Sequence, residues 1–300
     1  MRDWREAQRK PGRRVDLGGG RFYAVYDYGA RGGLPVLALH GAPASHLMYA
    51  PADAPAAALG LSIFAPDREG YGATPLDGDS TLTARAEALH RLVDALGLER
   101  LAIWAISGGA PCACALAARL GTRVTALALV SPMGPVADLA SAVPIALPQR
   151  RFFLHLPRHR RLLRFAAAAA AVAFHRAPEA TGRWFARLAG GDDRRILSDP
   201  DAGAFLIAMT RDALRQGAEA GARDLEIFGR PWGVDLGTIS APTLVWQGTA
   251  DRIVPRAVAF ALADRIPAST LFKLEGAGHF WVLEHVDEVL RALAGRAPVT

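Results

Sequence analysis

The sequence predicts an α/β fold: a mostly parallel, doubly wound sheet carrying a helical insertion. Three observations support this. Continuous apolar runs recur along the chain, and runs apolar on both faces suit central parallel strands covered by helices. Stripes of helical period lie between them. Polar residues keep falling directly after the runs, at the strand ends where such sheets gather ligands. His40, Asp67, Ser107, Asp251 and His279 all follow an apolar run.

The elements follow in chain order. RFYAVYDYGA (21–30) mixes β-branched and aromatic residues and suits an antiparallel edge strand. VLALH (36–40), LSIFAPD (61–67), LAIWAIS (101–107) and VTALALVSP (124–132) read as central strands, as do TLVWQG (243–248) and TLFKLEG (270–276). Leu82, Ala86, Leu89, Val93 and Leu96 repeat at helical spacing, and Gly97 closes that helix. Strand and helix in alternation make the parallel sheet. The alternation breaks between Pro132 and Ser240, where helix-like, arginine-rich segments stand without a clear strand. The expected organisation is a core of residues 1–132 and 240–300, with a helical lid at 133–239.

Composition narrows the function classes. Of 300 residues, 51% are hydrophobic and 21% charged, the balance of a folded globular protein. The net charge of +6 raises nucleic acid as a partner. The cations are almost all arginines spread along the chain, which argues against a phosphate footprint. The basic start, MRDWREAQRKPGRR, has no apolar core behind it and does not read as a secretory signal. FAAAAAAVAF (165–174) is far shorter than a membrane span and reads as a buried or lid helix. Cys112 and Cys114 point about 200° apart on a helix, cannot bridge, and read as small core residues. A cytoplasmic protein, monomer or homodimer, is expected, with no metal and no cofactor.

Chemistry concentrates at AISGG (105–109), between an apolar strand and an alanine-rich helix. A nucleophile elbow, G-x-S-x-G, lifts its serine above the strand ends on a strained turn with small residues two before and two after. Ala105 and Gly109 meet that need with one extra methyl group. The amide of Gly108 would open a helix and face an oxyanion. On this segment alone, Ser107 as a helix cap is an equal reading. HGAP (40–43) places the Ala42 amide after another strand as a second oxyanion donor, with the His40 side chain structural. GTADRIVP (248–255) and GAGH (276–279) place Asp251 and His279 in loops after the last strands. Each taken singly has a bland reading, a cap or a loop histidine. Jointly, the order Ser, Asp, His is that of nucleophilic hydrolysis on this architecture.

Together with PDREGYGAT (66–74), these segments make the chain resemble the α/β-hydrolase superfamily, in the branch with a helical lid after the sixth strand. The resemblance implies an eight-stranded sheet, Ser107 as nucleophile, His279 as base and Asp251 as its orienting acid. It also implies an oxyanion hole from Ala42 and Gly108, and a structural role for Asp67, Arg68, Gly70, Tyr71 and Gly72. Serine rather than aspartate at 107 argues against epoxide opening and halide displacement.

The expected reaction is hydrolysis of a modest, apolar carboxylic ester or lactone. A C–C bond hydrolase, an aminopeptidase, a cofactor-free perhydrolase and a non-catalytic ligand receptor remain as alternatives. Pro43, Trp184, Phe185, Phe280 and Trp281 are candidate substrate contacts. Phe205 and Met209 are further apolar candidates that serve equally as lid core. The cluster Arg150, Arg151, Arg158, Arg160, Arg161 and Arg164 reads as a solvated face in preference to a site for an anionic substrate or lipid headgroups.

Overall fold

A computed structural model of the chain describes residues 4–76 and 81–295; the outermost expected core bounds, 1 and 300, lie outside them. The strands are β1 (Arg13–Gly18), β2 (Arg21–Gly29), β3 (Leu34–Leu39), β4 (Leu61–Pro66), β5 (Leu101–Ile106), β6 (Val124–Val130), β7 (Thr243–Gly248) and β8 (Ser269–Leu274). They form one sheet in the order β1-β2-β4-β3-β5-β6-β7-β8. β2 runs antiparallel to β1 and β4, and the other neighbours are parallel.

Why the central runs look uniformly apolar is plain from β5. Leu101, Ile103 and Ala105 enter one core cluster, while Ala102, Trp104 and Ile106 enter the other. Successive side chains point to opposite faces, and both faces are covered, so no polar alternation survives. The helices Leu82–Ala95 and Ala110–Leu120 cover the first face, and Val282–Ala294 covers the second. Helix Leu82–Ala95 starts at Thr81, whose Oγ1 accepts the Ala84 amide, and the chain leaves it through Gly97 at φ 68°.

Two sheet expectations need correction. β2 is not an edge strand, because β1 pairs outside it. RRVDLG carries little strand signal because Val15 alone among its residues is buried, so its apolar pattern is one side chain deep. Conversely, β8 is an edge strand and is half exposed, with Phe272 38% accessible. Its apolar run reflects packing on one side only.

Between β6 and β7 stands a helical insertion without a strand. Its longer helices are Arg160–Arg176, Pro178–Ala189, Gly191–Ser198, Pro200–Ala213 and Glu219–Phe228. The alanine-rich stretch lies within Arg160–Arg176 and is not buried as a whole: Phe165 is 73% exposed, while Leu163 and Ala171 face inward. Among the described residues no helix is long and apolar enough to cross a membrane.

Candidate active site

Ser107 sits directly after β5 with φ at 52°, one of two non-glycine residues with positive φ among the described residues. Such a backbone is costly for an L-residue and persists only where its surroundings enforce it. A 3₁₀ turn, Ser107–Gly109, then leads into helix Ala110–Leu120. The glycine at 109 is required by β3: a Cβ there would collide with the Leu39 and His40 carbonyls. The Gly41–Ala42 segment packs onto the same turn. A Cβ on Gly41 would lie 3.2 Å from Ser107 Cβ, and one on Gly108 would lie 3.2 Å from the Ala42 nitrogen. The Ala42 and Gly108 backbones are therefore side by side next to Ser107.

The HGAP loop is locked by hydrogen bonds. The His40 ring donates from Nδ1 to the Gly41 carbonyl (2.8 Å) and accepts the Arg68 amide at Nε2 (2.9 Å). Burial, reinforced by the Arg68 charge, pushes its pKa down to about 3, so the ring is neutral and structural. The Arg68 guanidinium donates to the His40 and Gly41 carbonyls, each at 2.9 Å. It is itself held by Asp224 (2.7 Å) from helix Glu219–Phe228. Asp224 also binds Arg85 and accepts from Tyr71 Oη (2.8 Å).

Asp251 and His279 are in direct contact, Oδ2 to Nδ1 at 2.8 Å. Asp251 is further fixed by the Ile253 and Val254 amides at Oδ1 (2.8 and 3.0 Å) and by Gln247 Nε2 at Oδ2 (3.1 Å). Burial presses the His279 pKa down, but the Asp251 charge, their hydrogen bond and the Asp193 charge outweigh it, and the net shift is upward. The segment after β6 touches both halves of the site. Ser131 Oγ donates to the His279 carbonyl (3.0 Å), and the Met133 amide donates to the Ser107 carbonyl (3.0 Å). Among the described residues no hydrogen bond joins Ser107 Oγ to the His279 ring. Such contacts are often long without substrate and tighten when it binds.

A cavity of about 240 Å³ opens on Ser107, Gly108, Ala42 and Pro43. Its walls come from Phe153, Phe174, Leu225 and Phe228 of the insertion, among other apolar groups. Ser107 supplies the one polar side chain among the described lining residues, and none is charged. His279 and Phe280 line a separate space of about 40 Å³ with Phe205 and Met209, and share no wall residue with the cavity at Ser107. The other aromatic candidates lie elsewhere. Trp184 is 57% exposed, Phe185 packs edge-on against Phe280, and Trp281 is buried and stacked on His285. Helical spacing marks an apolar face without saying whether a cavity or a core lies beneath it. The residues that sequence reasoning missed, Ser131, Asp193 and Asp224, act through contacts distant in the chain and carry no local signal.

A strained serine after a central strand, the neighbouring Ala42 and Gly108 backbones and a paired Asp–His come together at the strand ends of a doubly wound sheet. The family model described as alpha/beta hydrolase fold matches residues 35–286, and the chain belongs to that family. A 2-hydroxymuconate semialdehyde hydrolase of Pseudomonas putida is 26% identical over 270 residues, covering 86% of this chain and 85% of the relative. An alpha/beta hydrolase fold protein from Nakamurella multipartita is 28% identical with a TM-score of 0.65, over 95% of this chain and 99% of that one. The esterase of Exiguobacterium antarcticum shares the fold at a TM-score of 0.71 and 20% identity, over 95% and 98% of the two chains.

Proposed function

We propose that this hydrolase cleaves a carboxylic ester or lactone carrying an apolar group, through an acyl-enzyme on Ser107. The observation that supports this best is the cavity at Ser107, apolar apart from that serine and free of charged side chains among the described residues. The Pseudomonas putida relative acts on a substrate named as a carboxylate. This cavity offers no cation to pair with one, and an unpaired carboxylate in an apolar wall is costly. Ester or lactone cleavage is therefore favoured over the C–C bond reaction.

In the proposed sequence His279 Nε2 takes the Ser107 hydroxyl proton as oxygen attacks the carbonyl carbon. Asp251 holds the ring through Nδ1, which leaves Nε2 as the working atom, and stabilises the imidazolium. The Ala42 and Gly108 amides receive the developing alkoxide, an arrangement in which one donor is typically worth about 10²–10³ in rate. The protonated His279 then protonates the departing alcohol, and a water activated by the same ring releases the acid. The helices at 133–239 would act as the lid that walls the apolar group.

Activity toward p-nitrophenyl esters should rise from acetate to a maximum at about C4–C8, then fall as the chain outgrows the cavity. A ω-carboxylated ester of matching length should react at least about tenfold more slowly in kcat/KM. Equal rates for the charged and uncharged esters contradict the assignment. A second expectation concerns pH. A base whose pKa is raised stays protonated, and therefore idle, to a higher pH. The acid limb of kcat/KM should accordingly lie above the ordinary histidine value of about 6.5 and drop in Asp251→Asn. An acid limb below 6.5 in the parent enzyme argues against His279 as the base.

A further inference from the structure

We propose that Asp193, on helix Gly191–Ser198 of the insertion, is a positioning residue for His279 and ties the seating of the insertion to the seating of the base. The inference rests on the Ser107–His279 reading above.

Asp193 is 1% exposed, and each carboxylate oxygen takes one backbone amide of the histidine loop. His279 N–H donates to Oδ2 (2.9 Å) and Phe280 N–H donates to Oδ1 (2.7 Å). Two charge-assisted bonds to consecutive amides fix both the position and the tilt of the peptide that carries the ring. The other side of the same residue is held by Ser131 Oγ at the carbonyl. With Asp251 on the ring, His279 is thus gripped at its amide, its carbonyl and its Nδ1 by three separate parts of the chain.

The local sequence is fitted to this grip. A Cβ at Gly278 would collide with the Asp193 carboxylate, so glycine at 278 makes room for it. The chain enters the helix through Gly190 and Gly191 at φ 66° and 49°, which brings Asp193 into the first helical turn, where a carboxylate is favourable. Arg195 of the same helix makes a bidentate pair with Glu284 (2.9 and 2.6 Å), on helix Val282–Ala294, which begins three residues after His279. That pair is exposed and touches the following helix, not the histidine loop, so the grip on the loop comes from Asp193.

A merely structural carboxylate would also satisfy these amides, but burial makes it an expensive choice. Desolvation lifts the Asp193 pKa against the pull of the two amides and of the His279 charge, and the nearby Asp251 lifts it further. The charged groups facing this cluster are Asp193, Asp251 and His279 themselves. Arg195 is turned to Asp192 and Glu284, and the Arg252 guanidinium lies against Gly190.

The test is Asp193→Asn in the full chain, with kcat, KM, the pH profile and the melting temperature measured on the preferred ester. An asparagine keeps one acceptor, turns a donor toward the second amide and removes the charge. The expected result is a kcat lowered about 10- to 100-fold, KM within about twofold, and an acid limb moved down by about half a pH unit. Arg195→Gln, which cuts the exposed pair of the same helix, should leave kcat and the acid limb unchanged. Gly278→Ala should lower kcat about tenfold alone but less than about twofold in an Asp193→Ala background, where the collision is gone. If Asp193→Asn does not fold, Gly278→Ala in the parent decides the matter, and parent-like kcat there overturns the inference; where the Asp193→Ala background folds, an equal cost of Gly278→Ala in both backgrounds overturns it too. A folded Asp193→Asn enzyme with parent kcat and an unmoved acid limb also overturns it, as does a change confined to KM. An inactive Ser107→Ala beside an unaffected Asp193→Asn overturns this inference alone. Full activity in Ser107→Ala overturns the reading beneath it as well.

Discussion

Ser107→Ala should lower kcat by at least about 10⁴-fold on the preferred ester while the protein stays folded. Alanine keeps the Cβ that strains the backbone at φ 52°, so the turn is neither relaxed nor further crowded. The Ala42 and Gly108 amides remain in place, and a residual rate from binding and oxyanion stabilisation is expected above the uncatalysed one. Steady-state kinetics beside a melting curve check this. A loss of activity accompanied by unfolding would point to the turn rather than to the nucleophile. Substitution at Ser131, the other non-glycine residue with positive φ among the described residues, should be far milder in kcat, because its hydroxyl supports the His279 carbonyl and touches no reacting atom.

The largest stability effect is expected at Asp224. Its carboxylate is 1% exposed and answers two buried guanidiniums, Arg68 and Arg85, together with the Tyr71 hydroxyl. The site drives its pKa down to about 2: burial opposes ionisation, and the two arginine charges overcome it. Asp224→Ala removes the shared partner and leaves two cations in a desolvated place. Breaking a buried pair in this way costs about 3–5 kcal/mol, which lowers the melting temperature of a chain this long by roughly 5–8 °C. Activity should fall too, since Arg68 holds the His40 and Gly41 carbonyls and so the Ala42 amide. Thermal melting by circular dichroism measures the first effect. A shift below about 2 °C would mean that water or another group already serves these arginines.

Much of this architecture is legible in the sequence, for physical reasons. Central parallel strands are buried on both faces, so LAIWAI and VTALALV announce themselves as unbroken apolar runs. Their ends are marked because a polar residue directly after such a run has few places to point except the ligand side of the sheet. β1 fails the same test: with one buried valine it is held by backbone pairing to β2, which no side-chain pattern reports. β8 misleads in the opposite sense, carrying an apolar run at an exposed edge.

The site divides along the same line. Ser107, Asp251 and His279 stand in short local motifs, whereas their supports are distant carboxylates and hydroxyls. Asp193 lies 86 residues from His279 in the chain, and Asp224 lies 156 from Arg68. GGDDRR and ARDLEIF look like ordinary solvated helix sequence, and only the folded chain turns one carboxylate of each inward. The cavity walls are hard to read from sequence for a related reason. Trp184 has the size of a substrate contact, yet its helix turns it to solvent, while Phe153, Phe174 and Phe228 take the inner positions.

The central claim is that Ser107 forms a covalent acyl intermediate. Incubation with a fluorophosphonate, followed by peptide mass spectrometry, tests it directly. The expected adduct is a single phosphonyl group on the peptide bearing Ser107, formed with loss of activity, absent in Ser107→Ala and slowed by at least about 10³-fold in His279→Ala. An intact, active enzyme after prolonged exposure, or an adduct on another residue that tracks the loss of activity, would contradict it.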